Sequence, residues 1–236
     1  MEKLKLTKRQ KKIQEKYEAA GGAKKQYEIA EAVNVLKSLP PVKFDQTVEM
    51  AINLGIDPKK SDQLIRGAVT LPKGIGKTRK VIVFAAGDEA KAARDAGADE
   101  VGFEDLMKKV QDGWTDFDVA IAPPSMMKNI SRLGKVLGPQ GKMPSPKNGT
   151  VSEDIKNAVK EFKAGKVEFR CDALGIIHAP VGKLSFSMED LKNNVEAFLE
   201  HIQALRPSSA KGIFIKKVTL SATMSPGFQL KYVVAK

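Results

Sequence analysis

The stretch Val42–Leu54, VKFDQTVEMAINL, decides how the rest of the chain is read. Its apolar side chains fall on even positions: Val42, Phe44, Val48, Met50, Ile52 and Leu54. The odd positions are mostly polar: Lys43, Asp45, Thr47, Glu49 and Asn53. Successive side chains of a strand point to opposite faces, so this alternation predicts one half-buried β-strand over the whole stretch. One face packs on a core, and parity puts Phe44 there. The other offers Lys43, Thr47 and Glu49 to solvent or to a partner. An antiparallel sheet with one uncovered face is the usual home of such a strand.

The chain has 236 residues, enough to bury a core and to hold one or two domains. No apolar run approaches the roughly 18 residues of a membrane span, and the lysine-rich N-terminus lacks the apolar core of a secretory signal. A single cysteine, Cys171, excludes an internal disulfide framework and suits a reducing cytosol. With only His178 and His201, a histidine-based metal site is not expected. Charge is the strongest compositional signal: the net charge of +12 points to a polyanion, most often nucleic acid. Residues 1–25 carry nine Lys or Arg against three Glu, whereas residues 74–163 carry fifteen basic against thirteen acidic residues. The last stretch, 164–236, holds ten basic against six acidic residues. The excess therefore lies at the two ends, as if they fold together around a nearly neutral middle.

Residues 3–20 form a basic arm, too rich in Lys and Arg for a clear apolar stripe, and partial helix is expected there. Gly21-Gly22 breaks it, and Tyr27, Ile29, Ala30, Val33 and Leu36 then mark a helix ended by Pro40-Pro41. From Lys73 onward the pattern becomes strand then helix, repeated. Val81–Ala85 is a continuous apolar run, as in a strand buried on both faces, and Val119–Ala122 is another. This alternation predicts parallel βαβ units, a small Rossmann-like α/β block. Residues 134–150 read as a long loop, followed by a helix capped by Ser152. After residue 164 antiparallel strands return: Val167–Asp172, Ile176–Pro180, Phe214–Met224 and Phe228–Val234. Between them Ser187–Asp190 opens a helix with the core stripe Leu191, Val195, Phe198, Ile202 and Leu205, and spacing leaves His201 toward solvent. The expected fold is thus an α+β split domain, residues 1–73 and 164–236, an antiparallel sheet with helices. It encloses an inserted Rossmann-like α/β domain, residues 74–163.

Two enzymatic motifs fail on inspection. Gly74-Ile75-Gly76-Lys77-Thr78 resembles the end of a nucleotide-binding P-loop, but Leu71 stands where the first glycine belongs, and the segment precedes a strand instead of following one. Cys171, Asp172 and His178 could be imagined as a thiol–imidazole pair, but a lone cysteine is more often a small buried hydrophobe. No cofactor is expected. A basic, two-domain RNA-binding protein is the reading the residues support; the rival class is an enzyme using the α/β insert as a nucleotide pocket, and a general basic RNA chaperone is a third possibility.

Several stretches go further. They are Val42–Glu49 (VKFDQTVE), Leu54–Asp62 (LGIDPKKSD), Arg66–Lys77 (RGAVTLPKGIGK) and Ala96–Gly102 (AGADEVG). Val136–Val151 (VLGPQGKMPSPKNGTV), Ala164–Phe186 (AGKVEFRCDALGIIHAPVGKLSF) and Leu220–Met224 (LSATM) complete the set. In order and spacing the chain resembles, over nearly its whole length, the bacterial type of the first protein of the large ribosomal subunit, the protein of its mobile stalk. The resemblance implies no enzyme but a cytoplasmic ribosomal component. It would bind large-subunit rRNA through the split domain, beside other ribosomal components, and help release deacylated tRNA from the exit site. It also implies translational repression by binding the protein's own mRNA leader. Carried over, the RNA-facing residues are Lys43, Phe44, Thr47 and Glu49 on the opening strand, and Lys166, Glu168 and Arg170 on a second. His178 and Lys183 border a third, and Ser221, Thr223 and Met224 end a fourth. The strand Lys166–Arg170 is expected as a sheet partner of the opening one. One departure stands out: the family commonly has Thr-Met-Gly where this chain has Thr223-Met224-Ser225.

Overall fold

The computed structural model describes residues 6–60 and 62–232. In chain order the first elements are α1 (Lys8–Ala19), α2 (Ile29–Ser38), β1 (Thr47–Leu54) and β2 (Arg66–Thr70). Then come β3 (Val81–Phe84), α3 (Gly87–Asp95), β4 (Glu100–Gly102), α4 (Glu104–Gln111) and β5 (Val119–Ile121). Two single helical turns, α5 (Met127–Ile130) and α6 (Gly134–Leu137), precede α7 (Ile155–Ala164). The chain closes with β6 (Lys166–Arg170), β7 (Ile176–Lys183), α8 (Met188–Ala204), β8 (Ile215–Ala222) and β9 (Phe228–Leu230). These fall into two compact units. One is Met1–Ile65, Leu71–Gly76 and Phe169–Lys236; the other is Arg66–Thr70 and Lys77–Glu168.

The first unit is built on a four-stranded antiparallel sheet in the order β7-β1-β8-β9. The alternation read from the sequence holds from Thr47 onward: Val48, Met50, Ile52 and Leu54 are buried. Their cross-strand neighbours Ile177, Ala179, Val218, Leu220 and Phe228 are buried with them. Helices α2 and α8 pack on this face with Val33, Leu36, Leu191, Val195, Phe198 and Ile202. Each large apolar side chain so removed from water favours the folded state by about 1.5–3 kcal/mol.

The strand is shorter than the alternation suggests. Residues 42–46 are loop, and Phe44 is 51% exposed instead of facing the core. Pairing runs out at Thr47, opposite Lys183. Beyond it the Asp45 carboxylate accepts the Ser185 backbone N–H and hydroxyl at 3.2 and 2.7 Å, turning the chain away from the ladder. Parity fails where no ladder enforces it. Nor is Lys166–Arg170 a partner of the opening strand: β6 pairs with β2 in a separate two-stranded sheet, and the neighbours of β1 are β7 and β8.

Other expectations on this unit shift in detail. Helix α8 is capped as expected, the Ser187 hydroxyl accepting the Asp190 N–H at 3.0 Å. Its stripe ends early, because Leu205 lies past the last turn and is exposed while Leu199 is buried. His201 is only partly exposed: its ring packs edge-on against Phe169 at 5.8 Å, and its Nε2 is buried. Burial lowers its pKa. The basic arm is a regular helix with a capping box, Thr7 accepting the Gln10 N–H while Gln10 reaches back. Its residues 3–5, and the end of the expected last strand at 233–234, lie outside the described residues.

The second unit carries a three-stranded parallel sheet, β4-β3-β5. Strand β3 is buried throughout, as a strand covered on both faces must be. Val81 and Val83 pack with Ala90, Ala93, Ile155, Val159 and Phe162 of α3 and α7. Ile82 and Phe84 pack with Leu106 and Val110 of α4 and with Ile130, Leu133 and Leu137 on the other side. The cap of α7 is Asp154, not Ser152. Its carboxylate accepts the Asn157 N–H at 3.1 Å, and the helix starts one residue later, at Ile155.

One buried polar residue ties the first unit's central helix to segment 71–76. Asn194 is fully buried on α8. Its amide donates to the carbonyls of Gly74 at 2.9 Å and Val181 at 2.8 Å, and its oxygen accepts the Lys73 N–H at 3.1 Å. Asn194→Ala would strand these groups away from water. Urea unfolding should show a loss of about 2–4 kcal/mol, and a loss below about 0.5 kcal/mol would mean the network does not fasten this segment.

Candidate nucleic-acid interface

The face of the sheet opposite α2 and α8 is polar. Residues paired directly across strands share a face, so register fixes its composition. Along it lie the rows Lys183–Thr47, then Pro180–Glu49–Ser221, then His178–Ala51–Thr219–Gln229, and last Ile176–Asn53–Lys217. Every one of these residues is at least partly exposed. Eight expected residues therefore gather within one unit at or beside the Thr47 end of this face: Lys43, Phe44, Thr47, Glu49, Lys183, Ser221, Thr223 and Met224. His178 stands one row further along.

A bulge shapes this end. The register between β1 and β7 slips between Val48 and Glu49, with Gly182 opposite Val48. Gly182 has φ of 154°, and a Cβ there would meet Leu191 at 2.9 Å, so no larger residue fits without a shift. Beyond the bulge the Lys183 ammonium donates to the Thr47 hydroxyl at 2.9 Å.

The turn after β8 is held tightly. The Thr223 N–H and hydroxyl both donate to the Thr47 carbonyl, at 3.1 and 3.3 Å, and the Thr47 N–H donates back to the Thr223 hydroxyl at 3.1 Å. The Met224 N–H donates to the side-chain oxygen of buried Gln46 at 3.0 Å. Met224 itself projects outward, 52% exposed. Ser225, where the resemblance leads one to expect glycine, accepts the Ala222 N–H at 2.8 Å and donates to the Ala222 and Pro226 carbonyls. Its hydroxyl serves the turn itself. No non-glycine residue among those described has positive φ, so serine is accommodated without backbone strain.

Residues on β6 are placed differently. Lys166 and Glu168 belong to the second unit. Lys166 pairs with Glu161 at 2.7 Å and lies over the Phe162 ring. The Glu168 carboxylate accepts the Asn148 amide at 2.9 Å, and desolvation by burial raises its pKa against the opposing effects of that bond, Arg79 and Lys166. The Arg79 guanidinium, similarly enclosed, has its pKa lowered. Arg170, in the first unit, is exposed.

The rejected chemistries fare no better in three dimensions. Cys171 is buried and pairs with Ile177, so the next residue, His178, points the other way and is exposed; its nearest acid is Asp172 at 3.9 Å. Lys77 is paired with Asp118 at 3.0 Å in a loop that enters β3.

Thr219, Lys217 and Gln229 share the open face and were missed; Asn53, already among the polar positions of the opening stretch, joins them there. Thr219 and Lys217 have the parity of Ser221 on β8, a signal that was available; Gln229 required the β8–β9 register. Gln46, loop by sequence, supports the turn that presents Met224.

The sequence model of the ribosomal protein L1p/L10e family matches residues 35–226. The chain is 53% identical over 208 residues to the large ribosomal subunit protein uL1 of Protochlamydia amoebophila, 88% of each chain. It is 51% identical over 222 residues to the large ribosomal subunit protein uL1 of Alkalilimnicola ehrlichii, 94% of each.

Glu168 offers a check on the β6 cluster. An acid whose folded pKa is raised favours the fold when protonated, and that contribution is lost as pH rises through the folded value. Glu168→Gln keeps an acceptor for Asn148 without the charge. Its melting temperature at neutral pH should equal or exceed that of the parent, and the difference should vanish in acid. A clear drop at neutral pH would show that the ion pairs outweigh burial.

Proposed function

The chain belongs to the ribosomal protein L1p/L10e family, and from that footing we propose that it binds large-subunit rRNA through the open face of its β7-β1-β8-β9 sheet. It is a ribosomal protein of the large subunit and not an enzyme. The observation that carries the proposed interface is the convergence of Lys43, Thr47, Glu49, Lys183, Ser221, Thr223 and Met224, from distant parts of the sequence, at one uncovered sheet end.

The chemistry suits structured RNA. Lys43, Lys183 and Arg170 would neutralise phosphates, the salt-sensitive part of affinity. The hydroxyls of Thr47, Ser221 and Thr223 and the Glu49 carboxylate can bond 2′-hydroxyls and base edges in a wide, shallow minor groove, where a protein tells RNA from DNA. Phe44 and Met224, both half exposed, offer apolar surface to sugars or bases. His178 lies on the same face one row on. Lys166 and Glu168, committed to internal partners, are read as supports of β6 rather than direct contacts.

We read the first compact unit as the RNA-binding split domain expected over 1–73 and 164–236, and the second as the inserted Rossmann-like domain expected over 74–163, a reading supported by the parallel sheet covered on both faces of the second unit. Assistance in releasing deacylated tRNA from the exit site, and repression through the protein's own mRNA leader, follow from the family resemblance and complete the proposal.

Filter binding to an rRNA fragment carrying the site tests it. Affinity should fall steeply with salt, by about 0.9 in log–log slope for each phosphate neutralised. Thr223→Ala or Met224→Ala should weaken binding by about 1–3 kcal/mol. Unchanged affinity in both variants would remove the interface, and equal affinity for random RNA of the same length would favour a nonspecific RNA chaperone.

A further inference from the structure

Helix α1 is laced to the proposed interface from behind. Ile13 is buried beneath it, and the Tyr17 ring stands edge-on to Phe228 at 5.2 Å. The Tyr17 hydroxyl donates to the Gly227 carbonyl at 3.1 Å, and Lys16 donates to the Ser38 carbonyl. The decisive contact is made by Arg9. One guanidinium nitrogen, Nη2, reaches the Met224 carbonyl at 3.3 Å and the Pro40 carbonyl at 3.5 Å. Its Nε is buried and has no partner among the described residues.

Those two carbonyls belong to the two loops that flank Thr47. Pro40 leads into residues 41–46, which carry Lys43 and Phe44. Met224 is the tip of the turn after β8. The Met224 backbone is thereby held on both sides, its N–H by Gln46 and its carbonyl by Arg9. A side chain can present a fixed surface to RNA only if its backbone is fixed, and such supporting bonds set the geometry of the contacting groups.

We propose that Arg9 is a positioning residue of the RNA interface, bracing the Met224 turn and the Phe44 loop together so that both meet the RNA in one arrangement. The inference rests on the interface reading given above. It gives the basic arm a role distinct from phosphate neutralisation: the arm's arginine acts on protein carbonyls. Lysine is a poor substitute: both bonds come from Nη2 of a planar guanidinium whose Nε is buried, whereas an ammonium on a flexible stem lacks that fixed orientation.

The test is a double-mutant cycle in the full chain, measured by filter binding to purified large-subunit rRNA over a range of salt concentrations. Thermal melting followed by circular dichroism checks that each variant is folded. Arg9→Ala should weaken binding about tenfold with the salt slope unchanged, and Arg9→Lys should weaken it nearly as much. In the Met224→Ala background, Arg9→Ala should cost clearly less than in the parent, about threefold, because part of the surface it positions is already gone. A fall in slope of about 0.9 on Arg9→Ala would mean that Arg9 touches a phosphate, and would overturn the brace. So would full binding by Arg9→Lys, or losses that simply multiply in the double variant. A loss in Met224→Ala with none in Arg9→Ala overturns the brace and leaves the interface; no loss in Met224→Ala overturns the brace, and no loss in Thr223→Ala as well removes the interface too.

Discussion

The structure of the first unit depends on β1 being paired on both sides. Thr47–Leu54 lies between β7 and β8, so one eight-residue segment near the start of the chain organises two segments from its far end. The Thr47–Thr223 contacts span 176 residues of sequence. The pairing is stabilised by one face only: Val48, Met50, Ile52 and Leu54 are buried under α2 and α8. Because a strand alternates, burial of that face leaves the other uncovered and fixes which residues appear on it. A register slip of one residue would put Thr47 and Glu49 into the core. The same force that stabilises the sheet therefore defines the interface.

Around this frame, the interface is refined by hydrogen bonds that hold backbone in place. The bulge at Gly182 brings Lys183 to Thr47. Gln46 and Ser225 hold the turn after β8. Serine at 225, where the resemblance leads one to expect glycine, fits this pattern, since its hydroxyl closes the turn on itself and needs no unusual φ. Asn194 performs a like service on the other side of the sheet.

Much of this was legible in the sequence, and the misses share a cause. Periodicity is reliable where a ladder or a helix enforces it: β1 from Thr47 on, the buried β3, and α8 from Leu191 to Ile202. It fails at the ends of elements. Val42 and Phe44 continue the alternation in letters, but Asp45 diverts the chain before a ladder can form. Leu205 continues a helical stripe past the last turn, and Ser152 resembles a cap that Asp154 supplies. Pairing between distant strands was not readable, so β6 was expected beside β1 when its partner is β2. His201 looked solvent-facing by spacing along α8, and only the packing of Phe169 against that helix shows that one edge of its ring is covered. Most of the candidate interface could be named from sequence because the family resemblance supplied the residues. Its supports, Gln46 and Arg9, could not, because they act through hydrogen bonds to backbone carbonyls and N–H groups.

The central claim is that RNA meets the Thr47 end of the open sheet face. Hydroxyl-radical oxidation of the protein, free and bound to large-subunit rRNA, tests it most directly. Met224 and Phe44 mark that end, 52% and 51% exposed; Leu174 and Ile213, 77% and 69% exposed, lie by the Leu54 end. Binding should slow oxidation of Met224 and Phe44 several-fold while Leu174 and Ile213 react as before. Protection of Leu174 and Ile213 with Met224 and Phe44 unchanged would contradict the account.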